Sequence, residues 1–325
     1  MKAIIVKDKG RDPVYVTDYK ETIIQSPLEV LLKVKAVSIK NLDRAIASGQ
    51  HYSVANKPFV PFVVGTDGIG ELSDGSLAYG FGLKGMLSDY AVVPQDRLVP
   101  LPKGIDLALA AALPNALLGS VMAMLVRGNL KKGDVVLIHG ATGVTGQIAI
   151  QMARHYGAST IIATGRNKES LNQLHALGAN QIMSLAENPD QFIQSIRQIH
   201  QQTPIDLVID YVWGESASTI LTALKGNGSY QYKTKFVNVG AMSGDRMEVS
   251  SSILRGTDIH LLGSGIGSWT EVEMQRFFKE LLPEAFTLAA EGKLKLQTIC
   301  HSWKNIEQVW NTPLSSGERL VFILD

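Results

Sequence analysis

The chain has a single cysteine, Cys300, among its 325 residues. One thiol forms no internal disulfide and no cysteine-rich zinc cluster, which excludes a disulfide-stapled scaffold and a zinc finger. His301 adds no metal pair, because adjacent strand residues face opposite ways; the thiol is expected half-buried in a strand. Charge of one sign is also lacking: 31 Lys and Arg against 30 Asp and Glu leave a formal net charge of +1. That balance gives no electrostatic case for nucleic acid or an anionic membrane surface as a partner. No uninterrupted apolar run approaches the roughly 20 residues that span a bilayer. The opening MKAIIVKDKG reads as a strand and not as a signal peptide, so a cytoplasmic location is the default expectation. Internal repeats, low-complexity tracts and a compositionally distinct linker are absent as well.

What is present is ordinary globular material, 45% hydrophobic and 19% charged, in a chain long enough for two sizeable cores. Up to about residue 105, short β-rich runs alternate with Gly and Pro: AIIV, EVLLKVKAVSI, PFVVGTDGIGEL, SLAYGFG and SDYAVVP. This texture predicts a barrel or sandwich with little helix. The alanine-rich DLALAAALPNALLGSVMAMLV reads as helical, with Pro114 expected to break or kink it. From Asp134 a strand–helix rhythm takes over, through DVVLIH, GQIAIQMARHYGA, TIIATG, KESLNQLHALGA, QIMSL, DLVIDYV, KFVNVGA and DIHLLGSG. Such alternation predicts a parallel, doubly wound sheet. The chain ends in mixed texture, where Phe277, Phe278, Leu281, Leu282 and Phe286 are expected in a core.

One short stretch carries chemistry. IHGATGVTG places Gly140, Gly143 and Gly146 at every third position, between the strand DVVLI and a helix. Glycine lets a backbone turn tightly and approach a pyrophosphate without a Cβ in the way. The free N–H groups and positive end of the following helix then face the phosphates. Strand, glycine turn and helix in succession predict a dinucleotide site, with Thr142, Val144 and Thr145 as further contacts. NAD sites place an acid about 20 residues after the glycines, on the ribose hydroxyls. Here that place holds Arg166, followed by Asn167 and Lys168. A guanidinium grips a 2′-phosphate that a carboxylate would repel, so the expected cofactor is NADPH.

The order of KAVSIKNLDRAIASGQHY, PFVVGTDGIG, LPKGIDLALAAALPNALLGS, VLIHGATGVTGQIAIQMARHYGA, GAMSG and GKLKLQTICHSW resembles the medium-chain dehydrogenase/reductase superfamily. Within it, the chain is similar to the zinc-independent quinone oxidoreductase branch. The resemblance covers essentially the whole chain. It implies a Rossmann doubly wound parallel sheet over 116–265, with a GroES-like β-rich catalytic domain over 1–115 and 266–325.

Where the superfamily's zinc enzymes carry Gly-His-Glu this chain has Gly65-Thr66-Asp67, and where they carry Cys it has Lys40-Asn41. No metal is therefore expected. Alcohol oxidation uses the metal to hold an alkoxide; without one, the resemblance implies reduction of quinones or α,β-unsaturated carbonyls, whose delocalised oxyanion hydrogen bonds can stabilise. Asn41 is offset by one residue from the branch's substrate-facing asparagine and is a candidate catalytic residue. Tyr52 resembles a tyrosine near the nicotinamide and is a proton donor, a pocket wall or a surface tyrosine. Asp43 is expected to cap or anchor a helix. Asn115 or Ser120 is the candidate replacement for a threonine that usually flanks the nicotinamide. Val212, Gly240, Ala241 and Ser264 complete the implied cofactor contacts. A homodimer through the edge strand DIHLLGSG is expected. Two alternatives stay open: an enoyl-thioester reductase, and a catalytically idle NADPH-binding protein.

Overall fold

Alternating β-branched residues and turn formers fold the first hundred residues into short strands: β1 (Ala3–Val6), β2 (Val14–Val16), β3 (Glu29–Ile39), β4 (Phe62–Val63), β5 (Asp67–Glu71), β6 (Leu77–Phe81), β7 (Tyr90–Pro94) and β8 (Val99–Pro100). The computed structural model describes residues 1–51, 54–82, 84–186, 188–226 and 232–324. β1 pairs antiparallel with β2 and β4 in a small sheet. β3 is the long central strand of a larger one, antiparallel to β5 and β7. Along it Leu32 and Val34 are buried while Lys33 is exposed, the period of two that a half-buried strand imposes.

The next strands are β9 (Val135–His139), β10 (Thr160–Gly165), β11 (Gln181–Ser184), β12 (Leu207–Asp210), β13 (Thr234–Asn238) and β14 (Ile259–Gly263). They lie parallel in the order β11-β10-β9-β12-β13-β14. Helices such as Val144–His155, Pro189–Gln202 and Gly214–Leu224 make the crossovers. β9 is buried along its whole length, as a central parallel strand covered on both faces must be. This is the Rossmann arrangement, and the strand order reverses between β9 and β12, where ligands of such sheets bind. β14 stands at one edge, with Leu261 39% exposed.

The chain then returns to the first sheet. β16 (Glu318–Ile323) lies antiparallel to β3, and β15 (Gln297–Ser302) lies parallel to β16 at the end of the sheet. Phe277, Phe278, Leu281, Leu282 and Phe286 are buried, as expected. The chain thus divides into two units, Met1–Asn115 with Met274–Asp325, and Ala116–Glu273.

Two sequence expectations need correction. Pro114 does not end its helix: Leu107–Leu117 runs through it and continues as the wider-turned Leu118–Arg127. The resulting 21-residue helix is long and apolar enough to cross a membrane by length and composition, but most of it is buried in the protein, as for a core helix. Cys300 is exposed and not half-buried, because β15 has a neighbouring strand on one side only.

Candidate functional site

The glycine turn closes β9 beside the point where the strand order reverses. Gly140 has φ +84°, and a Cβ there would lie 2.7 Å from Val212 Cγ2, so Val212 at the end of β12 packs directly on the turn. A Cβ on Gly146 would meet the Ala141 backbone at 2.6 Å, so helix Val144–His155 can abut the turn only through glycine. Gly143 differs: it is the N-cap, and the nearest atom to its Cβ position is 3.9 Å away, which leaves open space before the helix. The first helical bond runs from Gln147 N–H to Gly143 C=O. The N–H groups of Val144, Thr145 and Gly146 precede it, in the first turn, where a helix has no partner of its own for them. An unobstructed helix N-terminus of this kind fits a pyrophosphate.

Buried polar groups brace this end of the sheet. Thr164 Oγ1 accepts from Gly140 N–H at 3.3 Å and lies 2.7 Å from His139 Nδ1, while His139 Nε2 lies 2.9 Å from Ser216 Oγ. Both ring nitrogens of His139 thus have a hydrogen-bond partner. Burial holds His139 neutral, with its pKa lowered to about 3. Asp210 Oδ1 accepts from Val212 and Trp213 N–H at 2.9 and 3.0 Å. Its Oδ2 accepts from Asn238 Nδ2, which also donates to Gly240 C=O at 2.7 Å. Burial raises the Asp210 pKa, against the hydrogen bonds that favour its charge. Trp213, with φ +59° and ψ −160°, holds a positive-φ conformation that is costly for a bulky residue.

Arg166 is exposed, one residue past β10. A Cβ on Gly165 would lie 2.5 Å from Thr142 Cγ2, so the strand end carrying Arg166 runs against the glycine turn. Lys168 begins the next helix, whose positive end does not favour a cation. Asn167 Oδ1 caps that helix by accepting from Ser170 N–H at 2.9 Å. Ala241 is exposed beside Gly240. Ser264 is buried and accepts from Trp269 Nε1 at 3.3 Å. The Ser120 hydroxyl is fully buried and spent on the Ala116 carbonyl at 2.8 Å. Asn115 is half-buried in helix Leu107–Leu117.

The other unit holds a cluster that sequence reasoning missed. Lys40 is 2% exposed, and its Nζ donates to Ser38 C=O at 3.0 Å and to Asp67 Oδ1, with Asp43 Oδ2 at 3.0 Å. Asp43 Oδ2 also accepts from Lys40 N–H at 2.9 Å, capping helix Asn41–Ala47, and Oδ1 accepts from Thr66 N–H at 2.9 Å. Tyr79 OH donates to Asp67 Oδ2 at 2.9 Å. Burial works to lower the Lys40 pKa, but Asp43 and Asp67 outweigh it and leave it raised. Burial and then Asp67 push the Tyr79 pKa well up. Burial lowers Arg319 to about 10, against the pull of both carboxylates. The signal in the sequence was Lys40 beside Ile39, a charge directly continuing an apolar strand.

Asp43 and Thr66 line a cavity of about 630 Å³, walled by Ile23, Ile46, Phe62 and Val63. Asn41 does not line it; it is exposed beside Arg11, Arg44 and Trp310 at a second cavity of about 340 Å³. Tyr52 lies outside the described residues. Among the described residues, no group of three or more His, Cys, Asp or Glu is placed to hold a metal ion.

Residues 144–284 match the family model described as zinc-binding dehydrogenase. The chain is 27% identical to a quinone oxidoreductase of Sus scrofa over 259 residues, covering 76% of this chain and 74% of that one. It is 29% identical to a mitochondrial enoyl-[acyl-carrier-protein] reductase of Arabidopsis thaliana, over 74% of this chain and 66% of that one. Among solved structures, the quinone oxidoreductase of Thermus thermophilus, also determined with NADPH, has a TM-score of 0.76 at 24% identity, with both chains covered in full. The chain is thus similar in sequence to quinone oxidoreductases and shares the fold of solved oxidoreductases of the medium-chain dehydrogenase/reductase kind, and these likenesses support an oxidoreductase.

Proposed function

We infer that the protein reduces quinones or α,β-unsaturated carbonyls with NADPH, without a metal. Arg166 is the observation that carries the cofactor choice. It stands exposed where β10 runs against the glycine turn, in the position that NAD-binding sheets give to an acid. The relatives that are quinone oxidoreductases, and the Thermus neighbour determined with NADPH, support the reading.

When bound, the reduced nicotinamide supplies a hydride. The chain does the rest. The N–H groups of Val144, Thr145 and Gly146 would take the pyrophosphate, and Arg166 with Lys168 would take the 2′-phosphate. The Val212 and Gly240–Ala241 turns, braced by Asp210 and Asn238, would hold the rest of the cofactor. The cavity beside Asp43 and Thr66 takes the acceptor, with Ile46, Phe62 and Val63 as apolar contacts. Positioning supplies most of the rate in such a transfer, so no catalytic base is required. Tyr52 is the assigned proton donor, and Tyr52→Phe tests it.

The size of the cavity favours a second reading, an enoyl-thioester reductase like the Arabidopsis relative, since about 630 Å³ admits more than one ring. NADPH oxidation followed with quinones, short enones and enoyl thioesters separates the two by kcat/KM, and turnover of none of them rejects both. Pairing through β14 would make a homodimer; light scattering that reports a monomer at micromolar concentration removes that assignment.

A further inference from the structure

The resemblance sets the zinc-ligand segments of the superfamily's zinc enzymes against Lys40-Asn41 and Gly65-Thr66-Asp67, and the residues here do not suit a metal. An ammonium has three donors and no lone pair, and zinc in proteins takes thiolate, imidazole or carboxylate. The Lys40 ammonium is itself the cation of the site, set against the two carboxylates of Asp43 and Asp67. Its three acceptors, Ser38 C=O and one oxygen from each aspartate, match its three N–H groups. Lys40 therefore has no proton left for a molecule in the cavity, and at 2% exposure it does not reach one. Whatever it does, it does through its partners.

Those partners lead to the cavity wall. Asp43 lines the cavity, and its second oxygen holds the Thr66 N–H, which brings a second lining residue into register. Asp67 follows Thr66 in the chain and is pinned from the other side by Tyr79. Arg319, 8% exposed and with its Nε unpartnered, adds a second buried positive charge that both carboxylates favour. A charge-balanced group of this kind is rigid, because moving any member leaves a buried charge exposed to low dielectric.

We propose that Lys40 is a positioning residue for the acceptor cavity: its buried ammonium takes the structural place of a metal ion and fixes Asp43 and Thr66 on the cavity wall. The assignment rests on the reading of that cavity as the acceptor site. Asp67 anchors the ammonium, and Asp43 passes its position on to the wall.

Lys40→Met alone strands two carboxylates and is at risk of not folding, so the decisive variant is Lys40→Met/Asp67→Asn, which removes one charge of each sign. The full-length protein is measured for NADPH affinity, for steady-state reduction of 1,4-naphthoquinone, and for equilibrium binding of 1,4-naphthoquinone without NADPH. Expected are a folded variant with NADPH affinity within about twofold of the parent, and a KM for naphthoquinone raised about tenfold with kcat changed far less. Naphthoquinone binding weakens by the same factor. A folded variant that keeps the parent's KM and naphthoquinone affinity overturns the role of Lys40 and leaves the function standing. A parent that neither binds nor reduces naphthoquinone removes the acceptor cavity, and this assignment with it.

Discussion

Two buried polar clusters, one in each unit, are built differently. In the first, Lys40, Asp43, Asp67 and Arg319 are ionic, and each charge is balanced by another. In the second, His139, Thr164 and Ser216 form a chain of hydrogen bonds without formal charge, since burial keeps the imidazole neutral. The ionic cluster is intolerant of losing one member, because the survivors stay charged in a medium that solvates them poorly. The neutral chain loses a hydrogen bond and an unsatisfied group, a smaller penalty. The difference separates a wall that must be stiff from a brace that has only to hold strand ends in register.

The largest expected effect breaks the ionic side. Lys40→Met should cost about 3–5 kcal/mol in urea unfolding, and adding Asp67→Asn should recover most of it; equal losses for single and double variants would refute the balance of charges. On the neutral side, His139→Gln should cost about 1–3 kcal/mol. Its pH dependence is more telling. The folded pKa of about 3 lies below the ordinary 6.5, so the unfolded chain takes up a proton that the folded one refuses. The stability His139 contributes is complete above pH 6.5 and is lost as the pH falls toward 3, and His139→Gln should flatten that slope. A slope unchanged in the variant would put the acid sensitivity elsewhere.

Arg166→Ala sharpens the comparison by touching neither network. It should weaken NADPH binding by roughly 1.5–3 kcal/mol and NADH binding hardly at all, read by thermal shift with each nucleotide. Equal losses would reject the 2′-phosphate contact. The smallest effect belongs to Cys300, whose exposed thiol should react with a soluble disulfide in the native protein. Cys300→Ser should move stability by less than about 0.5 kcal/mol.

Much of this was legible without coordinates. The strands EVLLKVKAVSI and VVLIH follow from their own periodicity and length, and the glycine spacing with its flanking strand and helix announced the turn. Gly140 and Gly146 were readable because the steric demand on them is local. Asn41 was placed by its offset from a family motif, yet it lines the second cavity, away from Asp43 and Thr66. Ser120 looked available as a hydroxyl, but a buried helical serine returns its proton to the preceding turn.

By itself, then, the sequence determined the elements, the parallel sheet, the glycine turn and the guanidinium beyond it, because each rests on residues close together in the chain. The tertiary structure alone decided what Lys40 is. Its partners come from positions 38, 43, 67 and, through the shared carboxylates, 79 and 319, brought together by the pairing of β3 with β5 and β16. A buried charge is affordable only where distant strands deliver its counter-charges, and no local pattern records that delivery.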